Sequence, residues 1–151
     1  MKKHSIIRAL AVIAVILAAG MGAQAQDLDL LNAKREMIGR INSDGTVRDA
    51  KLIVVGKFNS DGSVRNAKLE QIGKIDADGT MRDVKLVVIG KTGDDGIVRD
   101  AKMSQIGKIE YDGTVRDAKM TQIGVGRGAN INKKWLAAVF FFHFKELTAA
   151  K

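Results

Sequence analysis

This sequence predicts an all-β fold: a closed pseudo-five-fold ring of β-hairpins built from 17-residue repeats, with a short C-terminal helix. Three observations carry that expectation. The 17-residue unit recurs without insertion from Ile38, Val55, Ile72, Ile89 and Ile106, and a sixth copy starts at Ile123. Each full unit contains an Asp-Gly pair among β-branched residues, and the array opens and closes on complementary half-units. A fixed short period means that one small unit is stacked on its copies, because a single copy cannot bury its own apolar face.

Residues 1–25 precede the repeats and read as a secretory leader. Lys2, Lys3 and Arg8 supply a positive start, Ala9 to Ala19 is an apolar run, and Ala23-Gln24-Ala25 is a small-x-small cleavage site. The run is too short to span a bilayer, which takes about 20 residues. No cysteine follows it to accept a lipid. The expected location is therefore periplasmic or extracellular, with cleavage near Ala25 and no transmembrane span in the mature chain.

The repeat domain is assigned to residues 26–128. Removing the leader leaves 22 basic against 17 acidic residues, a net charge of +5. That mild excess suits anionic surfaces. It falls short of a nucleic-acid binder's profile, and Phe58 and Tyr111 are the only aromatic residues within the repeats, too few for base stacking. The chain has no cysteine, so no disulfide staples it.

Each unit is coded as a hairpin. The glycines of Asp44-Gly45, Asp61-Gly62, Asp78-Gly79, Asp95-Gly96 and Asp112-Gly113 supply the left-handed backbone that a tight turn needs. A two-residue loop would set Ile41 against Arg48. A three-residue loop, Ser43-Asp44-Gly45, sets Ile41 opposite Val47 and is preferred, at the cost of placing Arg40 opposite Arg48. The odd period puts Val47 and Leu52 in opposite phase, so a bend or bulge is expected near Asp49-Ala50-Lys51. The glycine after each isoleucine, Gly39 in the first copy, is a second candidate for the kink.

The half-units favour closure. Asn32-Ala33-Lys34 matches Asn66-Ala67-Lys68, and Ala118 to Gly124 supplies the complementary stretch at the far end. A ring can pair its first strand with its last and abolish open edges. An open β-solenoid is the alternative. The repeated IGKIxxDGTVRDAK motif from Leu31 to about Phe144 resembles the five-fold β-flower family of small exported bacterial proteins. That resemblance implies a ring of β-hairpins and carries no catalytic residues with it.

Residues 129–151 form a different segment. Trp135 to Phe144 holds the only tryptophan and four of the five phenylalanines. Asn132 is placed to cap a helix from Lys133 that ends near Lys145. An all-apolar helix is normally buried, so a plug or lid packed on the repeat domain is expected. A helix docking on a partner or membrane surface is the alternative.

The inventory of reactive groups argues against an enzyme. His143 is the one histidine after the leader, with no cysteine and no nucleophile-base pair in view. Asn42 to Val47 looks like the middle of a calcium loop, yet Arg40 and Lys51 stand where its first and last carboxylates belong. Asp49, Asp83, Asp100 and Asp117 recur beside arginines as a structural ladder. No cofactor or metal is expected. Two rows of charge remain as candidate anion-binding residues: Arg48, Arg65, Arg82, Arg99 and Arg116, and Lys51, Lys68, Lys85, Lys102 and Lys119. In a ring each row becomes a circle of like charge, able to attract an anionic glycan or envelope component. The expected function is an exported, non-catalytic binding or structural module.

Mass spectrometry of exported protein is expected to show a chain beginning at Gln26, and intact Met1 to Ala25 on the mature protein would refute the leader.

Overall fold

The structure, a computed structural model, describes residues 27–149; the leader assigned to residues 1–25 lies outside them. Twelve short strands follow one another: β1 (Leu28–Asn32), β2 (Met37–Ile41), β3 (Thr46–Asp49), β4 (Val54–Phe58), β5 (Ser63–Asn66) and β6 (Gln71–Ile75) make the first half. The second half is β7 (Thr80–Asp83), β8 (Val88–Thr92), β9 (Ile97–Asp100), β10 (Gln105–Ile109), β11 (Thr114–Asp117) and β12 (Gln122–Arg127). A helix α1 (Lys133–Phe141) and a 3-10 turn (Lys145–Leu147) complete the chain. Each strand pairs antiparallel with its sequence neighbours, and β12 returns to β1, so the sheet is a closed barrel. The expected closed all-β ring is present, with a different count. Five Asp-Gly hairpins are joined by a sixth pair, β12 with β1, which the two half-units supply. The solenoid alternative does not describe a sheet of antiparallel neighbours that closes on itself.

The Asp-Gly loops have the three-residue form. Ile41 faces Val47 and Arg40 faces Arg48. The amide of Asn42 donates to the Thr46 carbonyl at 2.8 Å, and that of Gly45 to the Asn42 carbonyl at 2.9 Å, with Gly45 at φ 90°. The step at Asp49-Ala50-Lys51 is more than a bend; it is a second hairpin in every unit. The amide of Leu52 donates to the Asp49 carbonyl at 2.9 Å, and Leu52 itself is left-handed at φ 65°. Asp49 Oδ1 accepts from the amides of Lys51 and Ile53 and so fixes the turn. Both candidate positions for the phase change are used. Val47 faces Gly56 while Arg48 faces Val54, which leaves Val55 as a bulge beside the glycine.

Closure has its own clasp. Asp29 on β1 accepts from Arg40 on β2 at 2.8 Å and from Arg127 on β12 at 3.3 Å. Burial opposes ionisation of Asp29, but the hydrogen bonds from the two guanidinium groups prevail and hold its carboxyl below the usual range.

A twelve-stranded barrel is wider than its own side chains can fill, since about eight strands is the size at which they suffice. The tail fills the rest. Asn132 caps α1, its side chain accepting from the Trp135 amide at 3.0 Å. Leu136, Ala137, Ala138 and Val139 are then fully buried among Ile41, Val47, Val64, Met81 and Val98 from the barrel wall. Leu136 enters where β12 carries Gly126, a position at which any side chain would collide with it. The docking-helix alternative for this segment therefore conflicts with its position inside the lumen.

The helix ends at Phe141, short of the expected Lys145, for a geometric reason. Five consecutive side chains, Phe140, Phe141, Phe142, His143 and Phe144, each press on the glycine of a different repeat: Gly124, Gly107, Gly90, Gly73 and Gly56 in turn. Equivalent strands of this barrel lie about 60° apart around the axis, whereas an α-helix advances about 100° per residue. The chain has to widen to keep one ring per repeat. It does so by bringing the amides of Phe142, His143 and Phe144 onto the single carbonyl of Ala138, at 3.2, 2.7 and 3.1 Å. Phe58 braces this arrangement, stacking on Trp135 and meeting Phe144 edge-on, both at 5.4 Å between ring centres.

Gly79 tests the turn geometry. It sits at φ 91°, and a Cβ there would overlap the Thr92 carbonyl that its strand neighbour presents. Gly79→Val should cost about 3 kcal/mol or more, strain and overlap together. An unchanged melting temperature would contradict the assignment.

Candidate functional site

The meander places all connections of one kind at one end of the barrel. The five Asp-Gly loops and the two chain crossings at Asp27 and Gly128 share one end; the six second hairpins share the other. Each of these six tips has a lysine followed by a residue in the left-handed region: Lys34-Arg35, Lys51-Leu52, Lys68-Leu69, Lys85-Leu86, Lys102-Met103 and Lys119-Met120.

The two predicted charge rows meet at this end but have different employment. Arg48, Arg65, Arg82, Arg99 and Arg116 point outward from the strands, half-buried, and each donates Nη1 to the carbonyl of the left-handed residue four positions on. Those distances run from 2.8 Å at Leu69 to 3.3 Å at Met103. Arg82 and Arg116 are further held by Asp76 at 2.8 Å and Glu110 at 3.0 Å. The arginine row is thus a set of staples that holds the tips, and the local sequence explains it, since Arg and the left-handed residue always recur at the same spacing. Arg40, opposite Arg48 as expected, avoids it by turning to Asp29.

The lysine row is unengaged. Lys51, Lys68, Lys85, Lys102 and Lys119 are exposed, and among the described residues no ion pair or side-chain hydrogen bond involves their ammonium groups. Lys34 at the first tip extends the row to six; the match of Asn32-Ala33-Lys34 to Asn66-Ala67-Lys68 already aligns it with Lys68, but the row named from the sequence covers the full units alone. The aspartates beneath, Asp49, Asp83, Asp100 and Asp117, use Oδ1 on turn amides, as in Asp49 with Lys51 and Ile53. Their ladder is structural.

The Asp-Gly end carries a groove of about 330 Å³ between Trp135, Phe58, Lys74, Asp76 and Asp61. Its polar groups are largely committed: Asp76 to Arg82, Asp61 to Ser63, and Lys134 Nζ to the Ala77 carbonyl. Asp44, Asp78 and Asp112 in the same loops are held below the usual carboxylate range, chiefly by the amide two residues on.

His143 lies deep in the lumen against Gly73, with Nε2 buried and unpaired. Burial lowers its pKa to about 4, opposed by the charge of Asp83. A neutral imidazole without a partner, pressed on backbone, has the surroundings of a packing residue. Among the described residues no three His, Cys, Asp or Glu side chains gather where they could hold a metal ion.

A family model described as 5-fold beta-flower protein matches residues 25–145, and the chain belongs to that family. Neither the curated proteins nor the solved structures contain a match.

His143 gives a pH test. Its folded pKa lies below the unfolded value near 6.5, so the unfolded state binds the proton first and stability falls as pH drops from about 6.5 to 4. The loss at pH 5 relative to pH 7 is on the order of 2 kcal/mol. His143→Phe, which matches the other four rings, is expected to flatten the dependence of melting temperature on pH in that window. A slope that persists in the variant would remove His143 as its source.

Proposed function

We propose that this chain is an exported, non-catalytic binding module that recognises an anionic glycan or other anionic component of the cell envelope through the lysine ring at its six hairpin tips. The observation that carries this reading is the unengaged state of that row beside an arginine row in which every member is bonded to its own tip. A chain that required the lysines for folding would have given them partners, as it did the arginines. Six like charges on one rim raise the local potential together and favour a multivalent anion over a single small one.

Three further points support it. Among the described residues the lumen is occupied by α1 and the five rings, which directs attention to the surface. The sole histidine of the repeats and tail is sequestered, and residues 1–25, read as a secretory leader, suit a protein that meets envelope polymers. The groove beside Trp135 has fewer free polar groups than the rim.

Replacing Lys51, Lys68, Lys85, Lys102 and Lys119 by glutamine tests the reading. Retention of the parent on an immobilised sulfated polysaccharide should fall with added salt, and the variant should lose at least tenfold in affinity at unchanged melting temperature. Equal binding by the variant would sink the proposal.

A further inference from the structure

The lysines do not stand alone at the tips. Five of the six left-handed positions carry Leu or Met, and all five side chains are 45 to 67% exposed. A tight turn with φ near 65° is made most readily with Gly or Asn, and a large apolar side chain there is uncommon. Solubility also argues against apolar residues at exposed tips. This chain makes that choice five times, at one end, in the same backbone position. Two neighbouring positions add to it: Ile53 and Val54 on the second tip, and Val87 and Val88 on the fourth, are exposed as well. These two tips flank the third, which presents Leu69. An apolar sector, interrupted at Glu70 on the third tip, therefore runs along a rim studded with free lysines.

We infer that this rim docks on an anionic lipid bilayer, with the left-handed Leu and Met side chains entering the interface and the lysines contacting headgroups. The inference rests on the anion-binding reading above and names the class of the anion. A soluble glycan offers charge but nothing for exposed Leu and Met to enter, whereas an anionic membrane surface offers a charged plane with an apolar layer beneath it. The alternation matches that profile in order, each lysine standing directly beside the apolar residue. The geometry also excludes crossing. The strands have four to six residues, against about nine to eleven for a transmembrane strand, and the outward rows of the wall are charged, as in Arg40 facing Arg48 and Lys57 facing Arg65. Among the described residues no helix is long and apolar enough to span. The barrel sits on the membrane, tips down.

The test substitutes Asn at the left-handed positions, Leu52→Asn, Leu69→Asn and Leu86→Asn together, because Asn accepts that backbone and should leave the fold intact. The purified protein is measured against phosphatidylcholine vesicles with and without phosphatidylglycerol, and against dextran sulfate as a soluble polyanion. The parent is expected to sediment with the anionic vesicles alone, and the triple variant to lose at least tenfold in vesicle affinity while its dextran sulfate binding and melting temperature hold. A parent that binds dextran sulfate but ignores anionic vesicles overturns the inference and leaves the anion-binding reading standing. Binding to neither overturns both. Vesicle affinity unchanged in the triple variant, or self-association of the parent that the variant abolishes without any vesicle binding, also overturns it.

Discussion

The contact between five consecutive aromatic side chains and five glycines, one from each of five repeats, is the constraint from which the rest of the molecule follows. Each glycine is buried in its strand with no room for a Cβ, because a ring from the tail already occupies that space and a strand carbonyl closes the other side. Glycine in a strand weakens it, through backbone entropy and the absence of a side chain to pack. Here it carves a pocket instead, and the ring returns the buried area. The arrangement ties repeat number to tail sequence: a run of Phe140 to Phe144 can serve five pockets only if five repeats present them in order. Gly39, the sixth, has Leu30 of β1 as its neighbour. That substitution is possible because β1 is a half-unit with its own apolar residue at the seam.

A wide barrel with a plug divides its stabilising interactions between two layers. The inner layer is apolar, with Ile41, Val47 and their repeats against α1, and burial of one such side chain contributes roughly 1.5–3 kcal/mol. Among the described residues two polar atoms break that layer: Thr92 Oγ1, where the other full copies have Ile or Phe, and His143 Nε2 are buried without partners. Each subtracts on the order of 1–3 kcal/mol. The outer layer is a repeated circuit in which an Asp or Asn caps the turn and an Arg staples its left-handed carbonyl. The individual links are solvent-exposed and weak. Their value is geometric, because they hold five bulky residues in a backbone conformation that such residues rarely adopt.

The hairpin register was legible from the residues, since only one loop length pairs Ile41 with Val47. Closure was legible too, from the half-units. The second hairpin was not, and the reason is specific: its turn, Ala50-Lys51-Leu52, contains no Gly, Asn or Pro to announce it. The signal that existed was the phase change between Val47 and Leu52, which fixed the position but not the form of the break. The Asn66 of one copy, replacing Asp49, was a further hint, as both residues cap turns in the same way. The fan of rings could not be read at all, because it depends on the widening of the chain at Ala138, a response to barrel width that no local pattern encodes. The charge rows were found as a pair, and only the structure separated the arginines that hold the tips from the lysines that do not.

That separation bears on where function can reside. The lumen-facing glycines Gly56, Gly73, Gly90, Gly107 and Gly124 recur in every copy that meets a ring, because each must fit the same contact. The tips face no such demand, and there the copies differ: Ile53-Val54 follows one left-handed residue, Glu70-Gln71 the next, Val87-Val88 the third and Ser104-Gln105 the fourth. A repeat that served only to close a barrel would leave these exposed positions polar in every copy. Instead two alternate tips are apolar around a third that ends in Leu69, so the rim has a preferred side although the barrel behind it is nearly uniform. Direction of that kind matters for a surface that meets a plane at an angle, and it matters little for a turn in solvent. The interior explains how the molecule stands; the unequal tips are the part of it that folding leaves free to vary.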